Sequence, residues 1–358
     1  MRLMKNRARM LAAALALAAI VLTGLALSAC GGDSGSASGA GAERKFLVIY
    51  STHGKENVEP VLERFKKAHP EITVEWRPFS TIDLFNALRA EKSDPQCDVW
   101  WGGPSGTFIR GEREGLLQPY RPAWADAVPA ESHSPAGLWH GNYLMPECIM
   151  HNANVLTPEQ APQEWDDLLK PEWKGKIVLR DPAKSGTMRA IFGAMIWRFH
   201  QKTESPEQGY DWLRQLHANV AAYAPDPRAM YQALNSEETP VTVWNIVDAH
   251  VQSQQGYNFK AIIPASGVPV LIEGIGLVKD CPNPNNGKLF IDWVAQVDEA
   301  VYQAHEFHRI PARTDIPAEK LPDWMTQKKI VAMEIDQEIY MPLEEKWMDY
   351  FRENIQSK

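Results

Sequence analysis

The stretch Lys45-Phe46-Leu47-Val48-Ile49-Tyr50 decides the class of fold. A short apolar run closed by the polar residues Ser51 to Asn57 reads as a buried strand. Val58, Val61, Leu62 and Phe65 then recur at helical spacing as far as Lys67-Ala68-His69-Pro70, where proline stops the helix. Ile72-Thr73-Val74-Glu75-Trp76 alternates β-branched residues as a second strand, and a second helix is predicted from about Ile82 to Ala90. Cys97-Asp98-Val99-Trp100-Trp101 reads as a third strand that breaks at Gly102-Gly103-Pro104. Strand, helix, strand, helix, strand at this spacing gives a parallel sheet covered by helices.

Downstream the pattern restarts. Lys176-Ile177-Val178-Leu179 is a strand, followed by Arg180 to Thr187 and a helix through about Phe199. Helices follow from Gln208 to His217 and from near Pro227, then strands at Thr239–Trp244 and Ala261–Pro264. Two α/β units in one chain make an α/β protein of two lobes. In open α/β sheets ligands gather at the carboxyl ends of the strands, so the loops after Tyr50, Trp101, Leu179 and Trp244 are where function is expected.

Upstream, Arg2, Lys5, Arg7 and Arg9 precede an apolar run from Met10 to Leu27 that ends in Leu27-Ser28-Ala29-Cys30. A basic start, an apolar run and a small-residue cleavage site make a secretory signal. Leu-Ser-Ala-Cys resembles the bacterial lipobox, which implies acylation of Cys30 and membrane anchoring after residues 1–29 are removed. Gly31 to Gly41, almost entirely Gly, Ser and Ala, cannot bury a core and reads as a flexible tether. The leader holds four positive charges and no acid, so the remaining chain carries −12 against −8 for the whole. Such acidity argues against nucleic acid as a partner. Cys97, Cys148 and Cys281 lie far apart with no metal-site spacing, and buried free thiols are the preferred reading.

Several segments fall in a recognisable order. They are Tyr50-Ser51-Thr52-His53-Gly54-Lys55-Glu56, Asp98 to Gly103, Asp181-Pro182-Ala183-Lys184-Ser185-Gly186-Thr187, Pro269 to Val278, Asn286 to Trp293 and Arg309-Ile310-Pro311-Ala312-Arg313. Together they resemble the type 2 periplasmic solute-binding proteins of ABC importers, in the branch of ferric-ion, polyamine and organophosphate binders. The resemblance implies two lobes, each a mainly parallel sheet flanked by helices, joined by two hinge crossovers at about Tyr143–Met150 and Leu271–Val278. Lobe 1 is then 44–145 plus 273–320, and lobe 2 is 146–272 plus 321–358, after a 1–29 signal peptide and a 30–43 tether. It further implies a lipid-anchored monomer outside the cytoplasmic membrane that passes a small molecule to a permease and its ATPase, without a cofactor.

Ser185-Gly186-Thr187 lies between a strand and a helix, where backbone N–H groups bind phosphate or carboxylate; an ordinary helix cap fits the same residues. Ser51, Thr52 and His53 follow the first strand, and Gly103 closes the third. His53 is also the metal ligand that a ferric-ion binder would use. Such binders carry two adjacent tyrosines after the strand matching Val241–Trp244, and this chain has Asn245-Ile246-Val247-Asp248 there. Asp248 suits an amine or hydroxyl of a ligand, or a helix cap. Trp101 and Trp244 stand at strand ends where an indole stacks on a sugar or covers a cation, although core packing accounts for them equally. Arg313 fits a forked contact with an anion or a structural ion pair. His305 and His308 read as structural. No hydrolase elbow, P-loop or HExxH motif occurs, so an enzyme is not expected. The expected guest is an organophosphate first, then a carboxylate, then a polyamine. The alternatives are ferric ion or a metal complex, and a lipid-anchored hydrolase.

Overall fold

The computed structural model describes residues 45–327 and 330–357, so the leader, the tether and Cys30 lie outside the described residues. The first unit runs β1 (Phe46–Ser51), α1 (Lys55–Ala68), β2 (Thr73–Pro78), α2 (Thr81–Ala90), β3 (Val99–Pro104), α3 (Ser105–Arg113) and β4 (Leu117–Gln118). Strand β1 lies between β2 and β3 and is parallel to both. Leu47, Ile49 and Tyr50 are fully buried, because helices cover the sheet, and α1 contributes Val58, Val61, Leu62 and Phe65 to the same core. Asp98 ties the unit together: its carboxylate accepts from the backbone N–H groups of Val48 at 2.8 Å and Asn283 at 2.7 Å.

Strand β5 (His140–Asn152) leaves this unit for the second. There follow β6 (Ile177–Arg180), α4 (Gly186–Thr203), α5 (Glu207–Asn219), β7 (Val220–Ala224), α6 (Pro227–Leu234), β8 (Val241–Asn245), α7 (Ile246–Gln254) and β9 (Phe259–Ile262). The return crossover is β10 (Val270–Val278), followed by α8 (Pro284–Val294), α9 (Val297–Phe307), β11 (Ile310–Pro311), α10 (Asp323–Gln327) and α11 (Gln337–Phe351). The strands form a path β2-β1-β3-β10-β5-β8-β6-β7. Strands pair in parallel within β2-β1-β3 and β8-β6-β7, while β10 and β5 run antiparallel to each other and to their neighbours. The expected crossovers thus lie inside β5 and β10, hydrogen-bonded side by side.

Two large apolar cores flank this central pair. One gathers β1, β3, α1, α2 and α8 around Trp100, Trp101 and Phe290, and the other gathers β6, β8, α4 and α5 around Phe192, Trp165 and Leu213. Helix α11 closes the second core, where Phe351 meets Phe192 edge to face at 4.9 Å. Cys97, Cys148 and Cys281 are free and buried.

The expected break at Gly102 does not occur. Strand β3 continues through Gly102 and Gly103, both at φ +98°, to Pro104. A Cβ on Gly102 would stand 2.4 Å from His53 Nε2, so the close approach itself requires glycine.

Candidate functional site

The first group of polar residues forms where β1 ends. Ser51 Oγ accepts from the His53 backbone N–H at 3.2 Å and lies 2.9 Å from His53 Nδ1. The other ring nitrogen, Nε2, meets the Tyr143 hydroxyl and lies 3.5 Å from Glu273 Oε2. That carboxylate also accepts the Gly103 backbone N–H at 2.6 Å. Arg309, buried, stands 4.6 Å from the Tyr143 ring centre and 5.3 Å from that of Trp101, and donates to Gln303 Oε1 at 2.7 Å. Burial, helped by the Arg309 charge and opposed by Glu273, pushes the His53 pKa down to about 4. The imidazole is therefore neutral at physiological pH, with both nitrogens engaged. Burial raises Tyr143 well above the ordinary phenol value.

The second group forms where the units meet. A Cβ on Gly186 would lie 3.3 Å from Pro104 Cγ and 3.5 Å from Thr81 Cγ2, and one on Gly103 would lie 3.6 Å from Thr81 Cγ2 and 3.7 Å from Thr52 Cγ2. The starts of three helices thus converge: Thr81 opens α2, Ser105 opens α3 and Gly186 opens α4. They line one cavity on this seam, with Thr107, Arg110 and Leu271. The first N–H groups of a helix have no partner within it, and the helix dipole favours an anion there. The Ser185 side chain itself is committed to the cap of α4, accepting from Met188 N–H at 3.1 Å.

The third group lies at the end of β8. Asp248 Oδ2 accepts from the Tyr231 hydroxyl at 2.6 Å, Trp244 Nε1 at 2.5 Å and Asn245 Nδ2 at 3.2 Å. The Asn245 side chain caps α7 by accepting from Asp248 N–H at 2.8 Å. Arg180, buried at the end of β6, donates Nη1–H to the Ala224 carbonyl at 3.0 Å, while its Nε has no partner and no carboxylate among the described residues lies within ion-pairing range. On β5, opposite Asn245, the Glu147 side chain is fully buried.

Of the residues singled out from sequence, Ser51, Thr52, His53 and Gly103 come together on the first unit, and Gly186 approaches Pro104 and Thr81 across the seam, while Ser185 is committed to its helix cap and no contact among the described residues draws Thr187 to the group. Trp244 and Asp248 bond to each other. Trp101 is fully buried behind His53, its ring edge-on to the imidazole at 4.8 Å and its Nε1 donating to Asn142 at 2.9 Å, so it backs the site and presents no face to a guest. Arg313 is not part of the group. Its guanidinium pairs with Asp315 at 2.7 Å through two nitrogens and donates to the Ala295 carbonyl. Sequence reasoning missed Thr81, Thr107, Tyr143, Glu147 and Glu273. Glu273 and Glu147 carried a signal, a carboxylate inside an otherwise apolar crossover strand.

A family model described as "Bacterial extracellular solute-binding protein" matches residues 107–332. The chain belongs to this family. The solute-binding protein is similar to the probable ABC transporter periplasmic-binding protein y4fP of Sinorhizobium fredii, with 26% identity over 84% of each chain. It is also 26% identical to a putative 2-aminoethylphosphonate-binding periplasmic protein of Salmonella typhimurium, over 75% of this chain and 80% of that one. Its fold matches the periplasmic binding protein AfuA from Actinobacillus pleuropneumoniae, solved with exogenous fructose-6-phosphate bound, at a TM-score of 0.75 and 22% identity over 87% of this chain and 98% of that one. The solute-binding protein is accordingly a two-lobed, extracytoplasmic member of the ABC importer class, whose relatives bind solutes for transport. Among the described residues no helix is long and apolar enough to cross a membrane.

Proposed function

We propose that this chain captures a small polar organic anion, an organophosphate or else a carboxylate, between its lobes and delivers it to a permease and ATPase while anchored through an acylated Cys30. The observation that carries this reading is the convergence of three helix starts, from both units, on one cavity at the seam. Donors contributed by both sides favour the closed form when an anion is present, which is the state an importer reads. The lobes divide at the crossovers, as 44–145 plus 273–320 and 146–272 plus 321–358, and the protein works as a monomer.

One observation favours ferric ion as a second reading: His53 Nε2, the Tyr143 hydroxyl and Glu273 Oε2 lie together. Against it, burial holds the Tyr143 phenol protonated, whereas a hard trivalent cation needs the phenolate.

A thermal-shift panel of fructose-6-phosphate, 2-aminoethylphosphonate, citrate, spermidine and ferric ion separates the readings. A ligand present at 100 times its Kd adds about 2.7 kcal/mol to the folded state, and the phosphate or phosphonate is expected to give the largest shift. A shift with ferric ion alone, together with a coloured complex, would overturn the organic-anion reading. Mass spectrometry of the exported protein tests the acyl group on Cys30.

A further inference from the structure

On the floor formed by the two crossovers, Glu273 and Asp248 are answered within the protein: Glu273 receives Gly103 N–H, and Asp248 receives Tyr231, Trp244 and Asn245. Glu147 is not answered. Its side chain is fully buried, and neither carboxyl oxygen has a hydrogen-bond partner. The ladder places it next to a residue that lines the cavity. Val270 pairs with Pro146, Leu271 with Met145 and Glu273 with Tyr143, which sets Glu147 across from Pro269, whose carbonyl its N–H meets at 2.8 Å. Pro269 and Leu271 line the seam cavity with the three helix starts. Alternate residues of a strand share a face, so Glu147 stands on the side of β5 that carries Tyr143, and Tyr143 reaches His53 at the end of β1.

We propose that Glu147 receives a protonated amine of the solute, so that the guest is a zwitterion with its anionic group at the helix starts and its ammonium group on the crossover floor. The position of the anionic end rests on the function proposed above, while the amine end rests on Glu147 alone. A buried carboxylate without a partner is strongly unfavourable, and in the empty protein burial, with Asp248 and Glu273 nearby, raises the Glu147 pKa so that it keeps its proton. Those two acids repel a second anion and favour a cation. No group of three or more His, Cys, Asp or Glu among the described residues is placed to hold a metal ion. An organic ammonium, which a single carboxylate can answer with a charge-assisted hydrogen bond, suits Glu147. On loading, the Glu147 proton passes to solvent and the carboxylate pairs with the ammonium; the Cys148 thiol beside it stays protonated, its pKa raised by burial and by Glu147.

Isothermal titration of the chain from residue 30 onward tests this with three probes: O-phosphoethanolamine, ethyl phosphate and ethanolamine. Phosphoethanolamine is expected to bind at least about tenfold tighter than ethyl phosphate, consistent with a charge-assisted bond, and to release a proton, seen as a dependence of the heat on buffer ionisation. In Glu147→Gln, which keeps the shape and the fold, the tenfold advantage and the proton release both vanish while ethyl phosphate binds as before. Equal affinity of the two phosphates for the wild type, or an advantage that survives Glu147→Gln, overturns the role of Glu147 and leaves the anion reading standing. Binding of ethanolamine that is lost in Glu147→Gln, with ethyl phosphate inert, supports Glu147 and overturns the anion reading. If no probe binds, both fall.

Discussion

At the end of the floor nearest β1, His53, Tyr143, Glu273 and Arg309 are buried together and each meets a partner: imidazole with hydroxyl, carboxylate with N–H, guanidinium with amide and ring. At the end nearest β8, Glu147 and Arg180 are buried to a similar degree, yet Glu147 meets nothing and Arg180 keeps one unpartnered nitrogen. The first arrangement holds the floor in shape before any guest arrives. The second leaves buried polar atoms unanswered, with Glu147 kept protonated by its burial and Arg180 short of a partner for Nε. A network with all its partners adds rigidity, whereas a buried polar group without one weakens the empty protein and is left for a guest to satisfy.

The largest expected effect concerns acid stability and comes from the satisfied end. The folded pKa of His53, about 4, lies below its unfolded value of 6.5. The unfolded chain therefore takes up a proton that the folded chain refuses. The contribution of His53 is fully present above pH 6.5 and is lost as pH falls towards 4, by about 3 kcal/mol. Urea titrations across this range should show the loss in the wild type and a flatter acid limb in His53→Gln; equal limbs would mean that the imidazole is not held neutral. Glu147 acts with the opposite sign. Its raised folded pKa stabilises the protein below the unfolded carboxyl value and the contribution is lost as pH rises, so Glu147→Gln should be at least as stable as the wild type at neutral pH.

The next effect sharpens the contrast at the unsatisfied end. Arg180→Met removes a buried cation without a carboxylate in ion-pairing range among the described residues, and should leave the empty protein as stable or raise its Tm. A fall in Tm would place Arg180 with the structural residues instead. The smallest effect is expected from Arg313→Ala. Its pairing with Asp315 lies outside the site, and partly exposed ion pairs contribute roughly 0–1 kcal/mol. Affinity measured by titration should stay within about twofold.

Much of the fold was legible from patterning. The strands at 46–51, 73–78 and 177–180 and the helices at 55–68, 81–90 and 207–219 were visible because buried faces impose periods of two and 3.6 on apolar residues. Edge strand β7 was missed, since Val220 to Tyr223 are half-buried or exposed and show no clear alternation. Helix α3 was missed because it begins Ser105-Gly106-Thr107, a turn-like opening that only its packing at the seam turns into a helix start.

The site was legible by place more than by role. The loops after the strands were the expected place, and Ser51, His53 and Gly186 lie where polar residues gather in the structure. Trp101 and Arg313 illustrate the limit. A tryptophan at a strand end and an arginine beside a proline have the same sequence surroundings whether they face a cleft or a core, and neighbours distant in the chain, Asn142 for one and Ala295 for the other, settle the matter.

The sequence by itself determined the α/β class, the two-unit order and the strand ends at which polar residues gather, because these follow from local periodicity and from short-range turn chemistry. Tertiary structure alone decided which buried carboxyl groups meet a donor. Glu147 and Glu273 sit in similar apolar strands, and nothing near either in the chain distinguishes them. Only the approach of Gly103 and His53 to one, and of no comparable donor to the other, separates a structural carboxylate from one left to meet a guest.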